Sequence, residues 1–196
     1  IVFQFLNLIP ELTAEENIFL PLELAGNLNR QQKEYIQNLL EIVGLQERKS
    51  HRPDELSGGE QQRVGIAAAL ANDPDVILCD EPTGELDTQS KKIIMQLLRS
   101  IIERFPNKTM IIVTHDPSLK EIADRMYYIR DGEISYEFNK EELQEARQSD
   151  STPKGMLEIG ASSEEELQKR VLFELREIDH IIKDRIKRIE KKIYPE

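Results

Sequence analysis

LSGGEQQR at Leu56 to Arg63, VILCDEPTGELD at Val76 to Asp87 and IIVTHD at Ile111 to Asp116 follow one another in this order along a chain of 196 residues. The apolar run Val76 to Cys79 is too short for a helix and is bounded by turn residues and acids. It is therefore expected to be a strand buried on both faces. Met110 to Val113 has the same character. Between the two runs, Ile93, Ile94, Leu97, Leu98, Ile101 and Ile102 recur at helical spacing, which predicts a helix over about Thr88 to Arg104. Strand, helix, strand in that rhythm implies a crossover and a parallel sheet, hence an α/β fold.

Working outward, Ile36, Leu39, Leu40 and Val43 share one helical face, with Asn29 placed as N-cap and Gly44 just past the end. A second helix opens at Ser57 and stops near Asn72, Asp73 and Pro74. Met126 to Arg130 and Glu133 to Phe138 flank Asp131-Gly132, a strong turn signal, and predict a hairpin. A short charged helix at Glu141 to Arg147 follows. Residues 148–163 have the Ser, Thr, Pro and Gly content of a linker. Ser163 and Glu166 have capping-box spacing and open an expected amphipathic helix over 164–196. Its apolar residues recur every eleven positions, Val171 to Ile182 to Ile193 and Leu167 to Ile178 to Ile189. That repeat, about 3.67 residues per turn, describes a straight or slightly right-handed stripe.

Composition excludes several classes. With 37 acidic against 26 basic side chains the formal charge is −11, which argues against unaided binding of nucleic acid. One cysteine, Cys79, excludes an internal disulfide and a cysteine-based metal site. No apolar run reaches the about 18 residues expected of a membrane-spanning helix, and Glu11, Glu15 and Glu16 interrupt any signal-like start. A cytoplasmic location is the expectation.

The chemistry concentrates at strand ends. Asp80 and Glu81 close a buried strand, where open parallel sheets place their ligands. An isolated Asp-Glu pair there would ordinarily be solvated. With Pro82-Thr83-Gly84 and Leu86-Asp87 behind it, the pair can divide the work of phosphoryl transfer, one carboxylate holding magnesium through water and the other polarising the attacking water. Ser57 and Glu60 form a capping-box pattern, and Gly58-Gly59 leave the first N–H groups of a helix uncovered, which makes an anion site. His115 ends the second buried strand, where it can contact a terminal phosphate. His51 and His180 lack such context and are read as surface residues.

These strings resemble the nucleotide-binding domain of an ABC transporter. FQFLNLIPELTAEENIFLPLEL (Phe3 to Leu24) and DEPTGELD are similar to the branch of lipoprotein-release, macrolide-export and cell-division ATPases. The resemblance implies a P-loop NTPase-like cassette over 1–147, with a helical subdomain at about 8–72. It implies ATP and Mg2+ as cofactors, Gln4 as the residue sensing magnesium and the attacking water, and Ser57, Gly58, Gly59 and nearby Gln61 as the signature closing over ATP on an opposite subunit. It implies Asp80 and Glu81 as the Walker B pair, Asp87 as the residue crossing the dimer interface, and His115 as the switch histidine. The implied partners are a second nucleotide-binding domain and transmembrane permease subunits, with peripheral membrane contact through the permease and no nucleic acid.

Two positions depart from the family pattern. Ala68 stands where many relatives have arginine, and Glu85 where many have asparagine. A third departure is larger: no G-x-x-x-x-G-K-[ST] string occurs among the nine glycines, so the phosphate cradle of such enzymes is missing. With Ile1 in place of methionine, this predicts a fragment, the C-terminal two-thirds of a cassette, inactive alone. Two other readings are a non-hydrolysing partner subunit and a soluble ABC ATPase of DNA repair or translation. Intact Glu81 and His115 weigh against the first. Against the second, chromosome-maintenance relatives insert a coiled coil between the residues matching Gln4 and Ser57, translation factors usually carry two cassettes, and this chain is acidic.

Overall fold

The computed structural model describes residues 1–4, 7–26, 29–130, 133–138, 141–143 and 171–172. They fall into two units, Ile1–Ile122 and Ala123–Glu196.

Three helices of the first unit begin on the same local device. At α1 (Ala14–Leu24), α2 (Arg30–Ile42) and α3 (Gly58–Leu70) the N-caps Thr13, Asn29 and Ser57 each accept from the backbone N–H three residues on, while Glu16, Gln32 and Glu60 reach back to the cap. Both exchanges satisfy N–H groups that a helix start leaves open. Helix α2 ends as expected, with Gly44 at φ +66, a left-handed position that glycine takes without strain. Its Ile36, Leu39 and Leu40 are fully buried.

Helix α1 carries Pro21 in its interior, which removes one backbone donor. Its start is secured by Asn17, 5% exposed. The Asn17 amide Oδ1 accepts from the N–H of Ile9 at 2.8 Å, and its Nδ2 donates to the carbonyls of Ile9, Leu12 and Thr13. One side chain thus clips the connection from residue 9 to 13 onto the helix.

Strand β1 (Val76–Asp80) pairs in parallel with β2 (Thr109–Thr114), from Val76 opposite Thr109 to Asp80 opposite Val113. Helix α4 (Thr88–Arg104) lies between them in sequence and begins on Asp87 as N-cap. The other edge of β1 is taken by the N-terminal residues. Val2 bridges Cys79 in parallel, donating to Leu78 O at 2.7 Å and accepting from Asp80 N at 2.9 Å.

The expectation that β1 is buried on both faces needs correction. Ile77 and Cys79 are 2% exposed but Leu78 is 40% exposed, so burial alternates. Only one face of the strand is covered among the described residues, and the pleat sends every second side chain to the other.

In the second unit, β3 (Met126–Arg130) and β4 (Glu133–Phe138) form the antiparallel hairpin, with a register shift between Tyr128 and Ile129. The Tyr127 hydroxyl donates to Glu137 across the pair, and Phe138 packs against Tyr136 and Tyr128. Residues 141–143 are helical, with Leu143 buried.

The turn residues 131–132 and the linker 148–163 lie outside the described residues. So does most of the expected tail helix. Val171–Leu172, its described part, is a strand instead, β5, pairing antiparallel with Tyr127 and Tyr128 of β3. Two adjacent apolar residues, the first β-branched, suit a strand, and at these two positions that pairing prevails over the helical stripe.

Candidate functional site

The carboxyl ends of β1 and β2 hold one cluster. Glu81 leaves β1 with φ +48, a left-handed conformation that costs a side-chain-bearing residue about 1–3 kcal/mol. Its N–H donates to Val113 O at 2.8 Å, which ties the turn to β2. The carboxylate is buried and held by β2's exit. Thr114 Oγ1 donates to Oε2 at 3.0 Å, the His115 N–H donates to Oε1 at 3.1 Å, and His115 Nδ1 lies 2.8 Å from Oε1. The imidazole itself is half exposed. A buried carboxylate therefore faces a histidine that also reaches solvent. Asp80, one residue earlier, presents an exposed side chain.

Gln4 arrives at the same edge by the Val2 bridge. A Cβ built on Gly84 would lie 3.5 Å from Gln4 Cγ, 3.1 Å from Glu81 O and 3.4 Å from Glu81 Cβ. Glycine at 84 lets the turn close beneath both side chains, and Gly84 N donates to Glu81 O at 2.9 Å.

Behind them stands Asp116. One oxygen accepts from Ser118 N at 3.0 Å and Ser118 Oγ at 2.5 Å. The other accepts from the buried Thr83 hydroxyl at 3.3 Å and lies 3.6 Å from Lys91 Nζ. Burial pushes the Asp116 carboxyl up, but the Ser118 hydrogen bonds, the Lys91 charge and the Thr83 hydroxyl outweigh it and hold the group below its ordinary value of 3.8.

A second cluster joins two helix starts. Ser57 caps α3, with its hydroxyl 2.8 Å from Glu60 Oε2, and the Glu60 carboxyl is lowered chiefly by the Ser57 backbone hydrogen bond. Asp87 caps α4, accepting from Gln89 N at 2.9 Å and from Ser90 N and Oγ. Its carboxyl is also lowered, first by the Ser90 hydroxyl. The two starts touch at glycine. A Cβ on Gly59 would lie 2.9 Å from Ser90 Oγ and 3.1 Å from Ser90 Cβ, and one on Gly58 would lie 3.7 Å from Leu86 Cδ2. Exposed Ser57 and Gly58 leave this helix start open to solvent.

Gln61 stands one turn into α3, beside the signature glycines. Its Nε2 donates to Pro53 O at 2.8 Å and Leu56 O at 3.0 Å, so the amide nitrogen braces the loop leading to Ser57.

The chain thus brings Gln4, Asp80, Glu81 and His115 to one sheet edge, and Ser57, Gly58, Gly59 and Asp87 to one helix junction. Thr83, Thr114, Lys91 and Asp116 were not singled out from sequence. The signal for Thr114 and Asp116 was their position on either side of His115 at a strand exit.

The residues present fit an ion carried in with a nucleotide. Asp80 and Gln4 offer hard oxygen donors suited to magnesium. Among the described residues no three His, Cys, Asp or Glu side chains converge to cage an ion. No helix of the described residues is long and apolar enough to cross a membrane.

The family model described as ABC transporter matches residues 1–84. The lipoprotein-releasing system ATP-binding protein LolD of Bacteroides fragilis is 47% identical over 133 residues, covering 68% of this chain and 61% of the relative. The macrolide export ATP-binding/permease protein MacB of Aggregatibacter actinomycetemcomitans is 43% identical over 154 residues, covering 79% of this chain and 24% of the relative. The chain therefore spans less than two thirds of the length of these curated relatives. Among solved structures, a dimeric post-hydrolysis state of an ATP-binding cassette of Methanocaldococcus jannaschii, bound to ADP and Pi, superposes with a TM-score of 0.61 at 41% identity, covering 71% of this chain and 61% of that one. By its strand-end and signature strings, these relatives and this cassette fold, the chain belongs to the ABC transporter family.

Proposed function

We propose that the chain serves as the ATP-hydrolysing subunit of an ABC transporter, working as a head-to-tail pair that drives permease subunits from the cytoplasmic face of the membrane. The observation that carries this reading is the buried Glu81 carboxylate at the end of β1, 2.8 Å from the half-exposed His115. Glu81 orients the attacking water and accepts its proton. His115 holds Glu81 by one ring nitrogen and donates to the terminal phosphate by the other. Asp80 and Gln4 would hold magnesium, which neutralises charge developing on the phosphates. Ser57, Gly58 and Gly59 would close over ATP bound to the opposite copy, with Gln61 bracing the preceding loop and Asp87 crossing the interface.

Residues 1–147 would make up the C-terminal two-thirds of the nucleotide-binding domain, with 8–72 as its helical subdomain, 148–163 as linker and 164–196 as an appended segment. Because no phosphate loop lies within the 196 residues, the sequence as it stands is expected not to turn ATP over. It could still present its signature to a complete partner, which is the non-hydrolysing reading.

ATP-dependent association tests the proposal. The chain is extended upstream with the residues that precede the matched region in a LolD relative, Glu81→Gln is introduced to slow turnover, and mass is followed by light scattering. Doubling of mass on addition of ATP, abolished by Ser57→Arg, is the expected result. A monomer at saturating ATP would exclude the head-to-tail arrangement.

A further inference from the structure

Besides the backbone bond from Glu81 N to Val113 O, the loop carrying Glu81 and the strand exit carrying His115 are joined twice through side chains. The first link is the Glu81 carboxylate itself, held by Thr114 and His115. The second runs from Thr83 Oγ1 to Asp116 Oδ2, 3.3 Å away, and onward from the same oxygen to Lys91 Nζ on α4 at 3.6 Å. Thr83 is 1% exposed, so its hydroxyl has no recourse to solvent. Asp116 also feeds the first link from behind, because its N–H donates to Thr114 Oγ1 at 3.0 Å, the same oxygen that donates to Glu81.

The two carboxylate oxygens of Asp116 divide the work. Oδ1 takes Ser118 N and Oγ and so caps the short 3-10 turn Pro117–Glu121. Oδ2 faces the Glu81 loop and α4. A purely structural cap needs only the first oxygen.

We propose that Asp116 is a positioning residue which, through Thr83 and Lys91, fixes the spacing between Glu81 and His115. The inference rests on the reading of Glu81 and His115 as the hydrolytic pair, but its geometry can be tested without hydrolysis. The His115 ring is half exposed, and one hydrogen bond from so open a group holds it weakly. The Thr83–Asp116–Lys91 bridge supplies the constraint that the imidazole alone lacks. It also makes α4, which begins at the signature contact of Ser90 with Gly59, a lever on the same spacing.

The test uses the full 196-residue chain labelled with 15N-histidine. It contains three histidines, and His115 is assigned by loss of its signals in His115→Gln. Thr83→Val and Asp116→Ala are expected to move the His115 ring-nitrogen signals by more than their linewidth while those of His51 stay in place. Asp116→Asn keeps an oxygen for Ser118 but loses the charge that faces Lys91, and is expected to move the His115 signals less than Asp116→Ala does. Ser118→Ala removes a hydroxyl from the capping side and should leave His115 unmoved. Unmoved His115 signals in Thr83→Val would overturn the proposal. So would a shift in Ser118→Ala as large as in Asp116→Ala, since Asp116 would then act only as a cap. If Asp116→Ala does not fold, Thr83→Val, which leaves the cap whole, decides alone. Failure of ATP turnover in an extended chain would remove the hydrolytic reading and leave these shifts as they are.

Discussion

Glu85 sits at φ +58, a region where a Cβ meets the neighbouring carbonyl and where asparagine is tolerated far better than glutamate. Asparagine, which the family resemblance leads one to expect at this place, would take this φ with less strain than glutamate. Glu85→Asn should raise stability by about 0.5–1 kcal/mol, measured as a higher denaturant midpoint at unchanged slope. Asp116 offers a pH test. Its carboxyl is held below 3.8 in the folded chain, so its contribution to stability is present above the unfolded-state value and fades as pH falls through the lower folded-state value. The melting-temperature gap between the wild type and Asp116→Asn should therefore be widest near about pH 6 and shrink below pH 3.8. A gap that does not change with pH would mean that the charge is not what stabilises the loop.

At the scale of elements, the contact of α3 with α4 depends on Gly59. Gly59→Ala gains helix propensity of about 1 kcal/mol but drives a Cβ to 2.9 Å from Ser90 Oγ and 3.1 Å from Ser90 Cβ. Overpacking of this kind costs about 1–3 kcal/mol, and Ser90 cannot turn aside without releasing Asp87. A net loss of stability, smaller in the double variant with Ser90→Gly, is expected in chemical unfolding. The same elements mark how far the sequence could be read. Helix α4 was legible because its apolar stripe recurs at helical spacing from about Thr88 to Arg104, and the Asp87 cap that the structure adds agrees with it. Helix α1 carries equally good start chemistry in Thr13 and Glu16, but Pro21 and a weak apolar stripe hide it, and Asn17 as its clip has no sequence signature. Strand β1 was legible as a strand but not in its one-sided burial, because four consecutive apolar residues look the same whether one face or two are covered. The pairing of Val171–Leu172 with β3 depends on residues about 44 positions apart, a contact that local periodicity does not encode. Glu81 and His115 could each be picked out by place in a motif. That Thr83 and Asp116 stand behind them follows from the side-by-side packing of β1 and β2, which the motifs do not state.

For the whole molecule, the chain spans 61% of its LolD relative and 24% of its MacB relative, and a working cassette needs a phosphate-binding segment that its 196 residues do not contain. In the proposed reading, the sheet edge bearing Asp80, Glu81 and His115 and the open start of α3 would be halves of two sites, each completed by another segment or another copy. In the proposed reading Glu81 is the group that activates water. Release of inorganic phosphate from ATP by the chain extended with a LolD phosphate-binding segment tests it most directly. Turnover is expected in the extended chain, with a fall of about 10²-fold or more in Glu81→Gln and ATP binding retained. Undiminished phosphate release by Glu81→Gln would contradict it.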